Sequence, residues 1–324
     1  MFTALFNKTA TGDLIAQERV HTSFLQRFPL HDHYFRALAP LYPRAFESFD
    51  LSAFDTIVSS TTAWAKGVCV PPGAKHVCYI NTVSRFAYSY DTYVGGLQMR
   101  RLARPFMRKL LAWDKRAAQR PTAYIANSQN VANRVKRYYG RDAYVLHCPV
   151  DLGRFTPGDQ QGDHFVVISR LLSYKRIDLA IAACALAKVP LYIVGDGPAR
   201  RALQQLARGT STTMLGFLGD RDLNVLLASA RAAIVPGEED FGLVPLEAAA
   251  CGRPTIAWRR GGALETVRDG TTGLFFDEPC AQSLADAIGR LRSYRFEPQA
   301  LRRHAEGFSP QQFIERLREL VDRV

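Results

Sequence analysis

The chain has 324 residues, of which 47% are hydrophobic, 22% charged and 11% aromatic; this excludes a disordered polypeptide and supplies a sizeable core. Its formal net charge of +12 suits nucleotide phosphates, anionic lipid or nucleic acid, and charge alone does not choose among them. The length is more natural for two domains than for one. The opening MFTALFNKTATG has no basic stretch leading into a long apolar run, so a cleaved signal is not expected. Cys69, Cys78, Cys148, Cys184, Cys251 and Cys280 show neither C-x-x-C nor zinc-finger spacing. They are expected to be reduced, buried thiols of a cytoplasmic protein.

In chain order, the β-rich runs are DTIVSS, HVCYI, AYIAN, AYVLH, HFVVIS, PLYIVG, TTMLGF, RAAIVPG, PTIAW and TGLFF. Helical stretches separate most of them, among them SQNVANRVKRYYG, KRIDLAIAACALAK, PARRALQQLARG, DRDLNVLLASA and GLVPLEAAACG. Apolar strands alternating with helices predict parallel α/β sheets. GLQMRRLARPFMRKLLAWDKRAAQR (96–120) is a basic stretch with an apolar stripe, in which Pro105 marks a kink or a helix start. It reads as a surface helix packed on the first domain. The sharper reading is a face for an anionic membrane. The Pro/Gly/Asp-rich HCPVDLGRFTPGDQQGDH (147–164) reads as a linker, dividing a domain at 1–150 from one at 151–324. The apolar window IDLAIAACALAKVPLYIVG contains Asp178, Lys188 and Pro190, and it parses as a buried helix and strand rather than a transmembrane span. Helices near 281–293 and 308–323 are expected to end the chain.

Ligands of open α/β sheets gather at the carboxyl ends of strands, where helix N-termini favour phosphate. Three junctions of the second domain suit this. In HFVVISRLLSYKRIDLA, Arg170 and Lys175 could grip a diphosphate from two directions; alternatively both are solvated charges. In PLYIVGDGPARR, Arg200 stands where a dinucleotide fingerprint needs its third glycine. Gly195 and Gly197 then make a tight turn, with Pro198 at the first helical position. In EEDFGLVPLEAAACG, Glu239 precedes a helix whose positive end favours an ionised carboxylate, and Glu247 lies within that helix. A cap and an ordinary helix glutamate are the plain alternatives. Asp220-Arg221-Asp222 is formally D-x-D, yet Asp220 reads as a helix N-cap. No histidine spacing suggests a metal site, so none is expected, and no nucleic-acid motif accompanies the charge.

Taken together, SRLLSYKR, VGDGP, GFLG, PGEEDFGLVPLEAAACGRPTIA and RRGGALETVRDGTTGLFF resemble glycosyltransferase family four, as do VHTSFLQRFP, HVCYINTVSRFAY and ANSQNVANRVKRYYG of the first domain. The similarity is greatest to bacterial mannosyltransferase-like enzymes of polysaccharide assembly. It implies a glycosyltransferase B fold, with two Rossmann-like domains whose parallel sheets face across a cleft and a last helix that packs back on the first domain. It also implies a retaining hexosyl transfer from a GDP- or UDP-sugar, with no metal, to a glycan or polyprenyl-linked acceptor. The enzyme would be cytoplasmic and peripheral at the inner membrane face, and nucleic acid is not an expected partner. Arg170 and Lys175 would bind the diphosphate and Glu239 the transferred sugar, with Phe241, Gly242 and Leu243 in the adjoining loop. Glu247 would hold the ribose, and Gly195, Gly261 and Gly262 would approach the donor, with Glu265 on the helix that follows. Asn81 stands where the family has a histidine of a His-x-Pro element, and Arg85 and Tyr88 are the other acceptor-side candidates. The family's opening strand–loop–helix, about 30 residues, is expected to be absent before MFTALFNKT. A catalytically impaired, nucleotide-sugar-binding remnant or partner subunit is the alternative function.

Overall fold

A computed structural model describes residues 1–11, 15–28, 38–84, 88, 97–158 and 160–324. Each of the ten β-rich runs forms a strand, and two short strands precede them. The residues group into two compact units. One holds Met1–Asn127, Val131–Val145 and Val321–Val324; the other holds Ser128–Asn130 and Leu146–Leu320.

In the first unit, β1 (Phe2–Thr3) and β2 (His21–Thr22) form a parallel pair. A separate parallel sheet runs in the order β3 (Thr56–Thr61), β4 (Lys75–Ile80), β5 (Ala123–Ala126), β6 (Ala143–Val145). Strand β3 is an edge of that sheet. Between β1 and β3 lies an apolar groove of about 570 Å³, walled by Phe2, Phe46, Phe49, Phe54, Ile57 and Val58. Parallel ladders alternate which residues point their N–H and C=O to a given neighbour. Asp55 and Thr61 accept from Lys75 and Asn81 on the β4 side, so the peptide groups of Thr56, Val58 and Ser60 face the groove.

After α1 (Tyr42–Glu47), the basic stretch forms α2 (Leu97–Ala117), and Pro105 lies inside it rather than at its start. Its buried stripe is Leu110, Trp113 and Ala117, with Trp64 and Met107 packed alongside. Arg108, Lys109, Lys115 and Arg116 are exposed. Asp114 also points inward. It is fully buried, 2.6 Å from the equally buried Lys66 ammonium, and it accepts hydrogen bonds from the Ser84 and Tyr88 hydroxyls.

The second unit holds one six-stranded parallel sheet in the order β12-β11-β10-β7-β8-β9. Its strands are β7 (Phe165–Ile168), β8 (Leu191–Val194), β9 (Thr212–Gly216), β10 (Ala232–Val235), β11 (Thr255–Trp258) and β12 (Gly273–Phe276). Successive side chains alternate between its faces. Phe165 and Val167 join one core with Ile193, Ile234 and the helices α4 (Ile177–Ala187) and α9 (Ala281–Arg290). Val166 and Ala233 join the other, with α6 (Asp220–Ala228), α7 (Leu243–Ala250) and α10 (Pro298–Glu306). The apolar window is α4 followed by β8, and among the described residues no helix is long and apolar enough to cross a membrane.

The 147–164 linker packs against the second unit, with Val150 and Phe155 buried in its second core. Two readings need correction. A further helix, α10, precedes the last one, α11 (Pro310–Arg323); it begins at Pro298, where a missing N–H costs nothing. Of the cysteines, Cys78, Cys184 and Cys251 are buried, whereas Cys69 and Cys280 are exposed.

Candidate active site

Strand order reverses between β7 and β10: β8 and β9 extend to one side, β11 and β12 to the other. The loops leaving β7 and β10 therefore open side by side at the sheet's switch point. After β7, Arg170 is exposed, and a tight turn at Ser173–Lys175 leads to Arg176 in the left-handed region, which caps α4. Lys175 thus sits just before the helix rather than on it. After β10, Gly237 passes so close to that turn that a Cβ would lie 2.8 Å from the Lys175 carbonyl. Only a glycine lets the two loops approach this far. The result is an ion pair in which the Lys175 ammonium donates to both Glu239 oxygens at 2.6 Å, with both side chains largely covered.

The Glu239 backbone is clamped as well. Its carbonyl accepts from the Gly262 N–H at 2.9 Å and from the Asn130 side-chain amide at 3.0 Å. The Ser128 hydroxyl donates to the Asp240 carbonyl at 2.6 Å. Gly261 takes a positive φ of 65° against Glu239, and a Cβ on Gly262 would stand 2.3 Å from the Phe241 Cα. Phe241 is 3% exposed and stacks on His147, so its ring fastens the loop from beneath. Gly242, at φ 94°, turns the chain into α7, whose first residue Leu243 is exposed. Gly195 lies at the end of β8. It donates its N–H to the Gly216 carbonyl, and a Cβ there would be 2.0 Å from the Ser169 carbonyl oxygen.

Glu247 is the fifth residue of α7. Burial pushes its carboxyl up to about 7, and the Arg154 charge only partly opposes this. Glu265 lies on the one-turn α8 (Ala263–Thr266), and its carboxylate is already engaged. It accepts from the backbone N–H groups of Gln129 and Asn130, at 2.7 and 3.1 Å, and meets His147 Nε2 at 3.0 Å. Burial tends to raise it, but the His147 bond and the two backbone donors together hold it below the usual carboxylate range.

The site therefore joins Lys175, Glu239, Gly261 and Gly262 directly, with Phe241 and Gly242 shaping the same loop. Gly237 and the clamps Ser128 and Asn130 were not singled out in the sequence; Gly237 alone had a signal, its place beside the two glutamates. Pro198 precedes α5 (Arg200–Leu206) by two residues instead of opening it. Gly219, not Asp220, is the N-cap of α6; Asp220 pairs instead with Arg154 at 2.8 Å. Asn81 and Tyr88 belong to the first unit. Asn81 follows β4 and donates to the Ser60 hydroxyl at 3.2 Å, while Tyr88 donates to Asp114 at 3.2 Å. Arg85 lies outside the described residues.

Residues 162–293 match the model for glycosyl transferases group 1, and residues 6–154 match that for glycosyltransferase family 4. A D-inositol 3-phosphate glycosyltransferase of Geodermatophilus obscurus is 32% identical over 248 residues, covering 66% of this chain and 55% of that protein. The Mycobacterium bovis enzyme of the same name is 32% identical over 216 residues, covering 57% and 45%. The chain thus spans about half the length of these curated relatives. Sucrose-phosphate synthase from Thermosynechococcus elongatus superposes with a TM-score of 0.73 at 20% identity, over 94% of this chain and 82% of that one. Anabaena HepE, solved with UDP and glucose, gives 0.68 at 18%, over 94% and 86%. With two parallel α/β units, these structural neighbours and two family models that between them span most of its length, the chain belongs to the family-four glycosyltransferases of the glycosyltransferase B fold.

Proposed function

We propose that the protein transfers a hexose, with retention of anomeric configuration, from a nucleoside diphosphate sugar to a hydroxyl of a glycan or lipid-linked glycan. The observation that carries this reading is the Lys175–Glu239 pair at the switch point. In this pair each charge neutralises the other. An arriving diphosphate offers Lys175 a more highly charged partner, with Arg170 exposed on the same loop to add a bidentate contact. Glu239 is then released to face the sugar, where its fixed negative charge stabilises positive charge growing at the anomeric carbon. Arg170 and Lys175 hold the charge of the departing diphosphate. Glu247 accepts the ribose hydroxyls. Solved neighbours bound to UDP support a nucleotide donor, and the naming of the curated relatives for D-inositol 3-phosphate supports a polyhydroxylated acceptor. Mannose from a GDP-sugar, in polysaccharide assembly at the inner membrane face, is the specific case we favour. The exposed basic residues of α2 suit such a surface.

The test is turnover of GDP- and UDP-hexoses by the purified protein. Lys175→Ala should weaken nucleotide binding. Glu239→Ala should retain nucleotide binding while losing about a hundredfold or more in turnover. Tight nucleotide binding with no turnover of any donor would overturn transfer and leave a binding subunit.

A further inference from the structure

The second unit gathers positive charge at a place remote from the switch point. A pocket of about 420 Å³ is lined by Arg231, Arg253, Arg292 and Arg295, with Glu297 as its one carboxylate. Arg231 directly precedes β10 and Arg253 lies two residues before β11, so the pocket sits at the amino ends of these strands. Glu239 follows the carboxyl end of β10, and a four-residue strand separates the two ends by about 13 Å.

None of the four guanidinium groups is in an ion pair with a described residue. Arg253 is buried, and carbonyl oxygens alone meet its charge: Ala228 at 2.6 Å, Gly158 at 3.1 Å and Gln160 at 2.7 Å. Arg231 spends one N–H on the Gln161 side chain at 3.2 Å. Arg292 and Arg295 are exposed on the connection between α9 and α10. Like charges brought together repel, so the cluster offers nothing to stability by itself. Tyr294 and Phe296 stack beside it with ring centroids 5.9 Å apart, adding an aromatic wall.

We propose that this pocket is a second anion site, separate from the donor site, and that it takes a phosphate-bearing small molecule. Guanidinium forks match phosphate oxygens two at a time, and a phosphate offers these donors more acceptor oxygens and more charge than a carboxylate or halide does. The aromatic wall suits the ring of a phosphorylated sugar or nucleoside. The inference is independent of the transfer reaction, and its test removes the donor site first.

The probe is inorganic pyrophosphate, titrated calorimetrically into the full chain carrying Arg170→Ala and Lys175→Ala. Binding should persist in that background and fall about tenfold or more when Arg292→Gln and Arg295→Gln are added. Both arginines are exposed, so the added changes leave the fold intact. Removing two remote exposed arginines instead, Arg208→Gln and Arg318→Gln, should leave binding unchanged. Absence of pyrophosphate binding in the donor-site background overturns the proposal. So does a loss that is equal for the remote pair, because net charge would then be the cause.

Discussion

At the scale of single residues, Glu239 and Glu247 of EEDFGLVPLEAAACG are physically unlike. Glu239 is paired with a cation; Glu247 is half-buried, with no cation close enough to offset its desolvation. The folded state holds the Glu247 carboxyl near 7, above its ordinary 4.5. A raised carboxyl means that folding favours the proton, so this residue's stability contribution is full below the unfolded value. It is lost as pH rises through the folded one. Glu247→Gln should therefore match the wild type in thermal stability below about pH 4.5 and exceed it near about pH 8, by about 3 kcal/mol at most. Melting curves of both proteins across that range check this, and a pH-independent difference would be the contrary result. The residues themselves were legible, because carboxylates and an FG interrupting a core-like run stand out. Their pairing was not. Lys175 and Glu239 are 64 positions apart, and only the reversal of strand order makes their loops neighbours.

At the scale of elements, the parallel strands and most helices were legible from apolar runs of strand length separated by longer periodic ones. What was not legible is burial that composition hides. The 147–164 stretch is rich in turn formers, yet Val150 and Phe155 anchor it. α10 is largely polar, and Leu301 and Ala305 carry its core contact. Two junctions between elements can be tested. Glu265 caps Gln129 and Asn130 at the start of α3 (Gln129–Tyr139) from a different helix. Glu265→Gln should cost about 1–2 kcal/mol at neutral pH. Its folded carboxyl lies below the usual range, so the stabilisation is present above the unfolded value and is lost as pH falls through the folded one. Denaturant titrations at neutral and acid pH would show the gap close. Lys66 and Asp114 tie α2 to the turn after β3 in a buried pair. Lys66→Met should cost about 3–5 kcal/mol by stranding the carboxylate, while adding Asp114→Leu should restore most of that. A double variant no more stable than the single one would show that the pair itself, not the stranded charge, supplies the stability.

At the scale of the whole molecule, two α/β units each bring their own parallel sheet, and both architectures were readable from the alternation of strands and helices. The break in the first unit's strand array, two strands apart from four, was not readable, because pairing partners are not written in local pattern. That break has a colloidal consequence. An exposed parallel edge flanked by phenylalanines is a template on which a second copy can add a strand, and the sequence places no charged side chain at Thr56, Val58 or Ser60 to deter it. The long-range repulsion of a molecule carrying +12 opposes that pairing. Added salt shortens that repulsion from about 14 Å at about 0.05 M to about 4 Å at about 0.5 M. The protein should accordingly stay monodisperse in dilute buffer and self-associate as salt rises, the reverse of a chain held together by ion pairs. Light scattering across a salt series would register the crossover, and Val58→Lys should move it to higher salt.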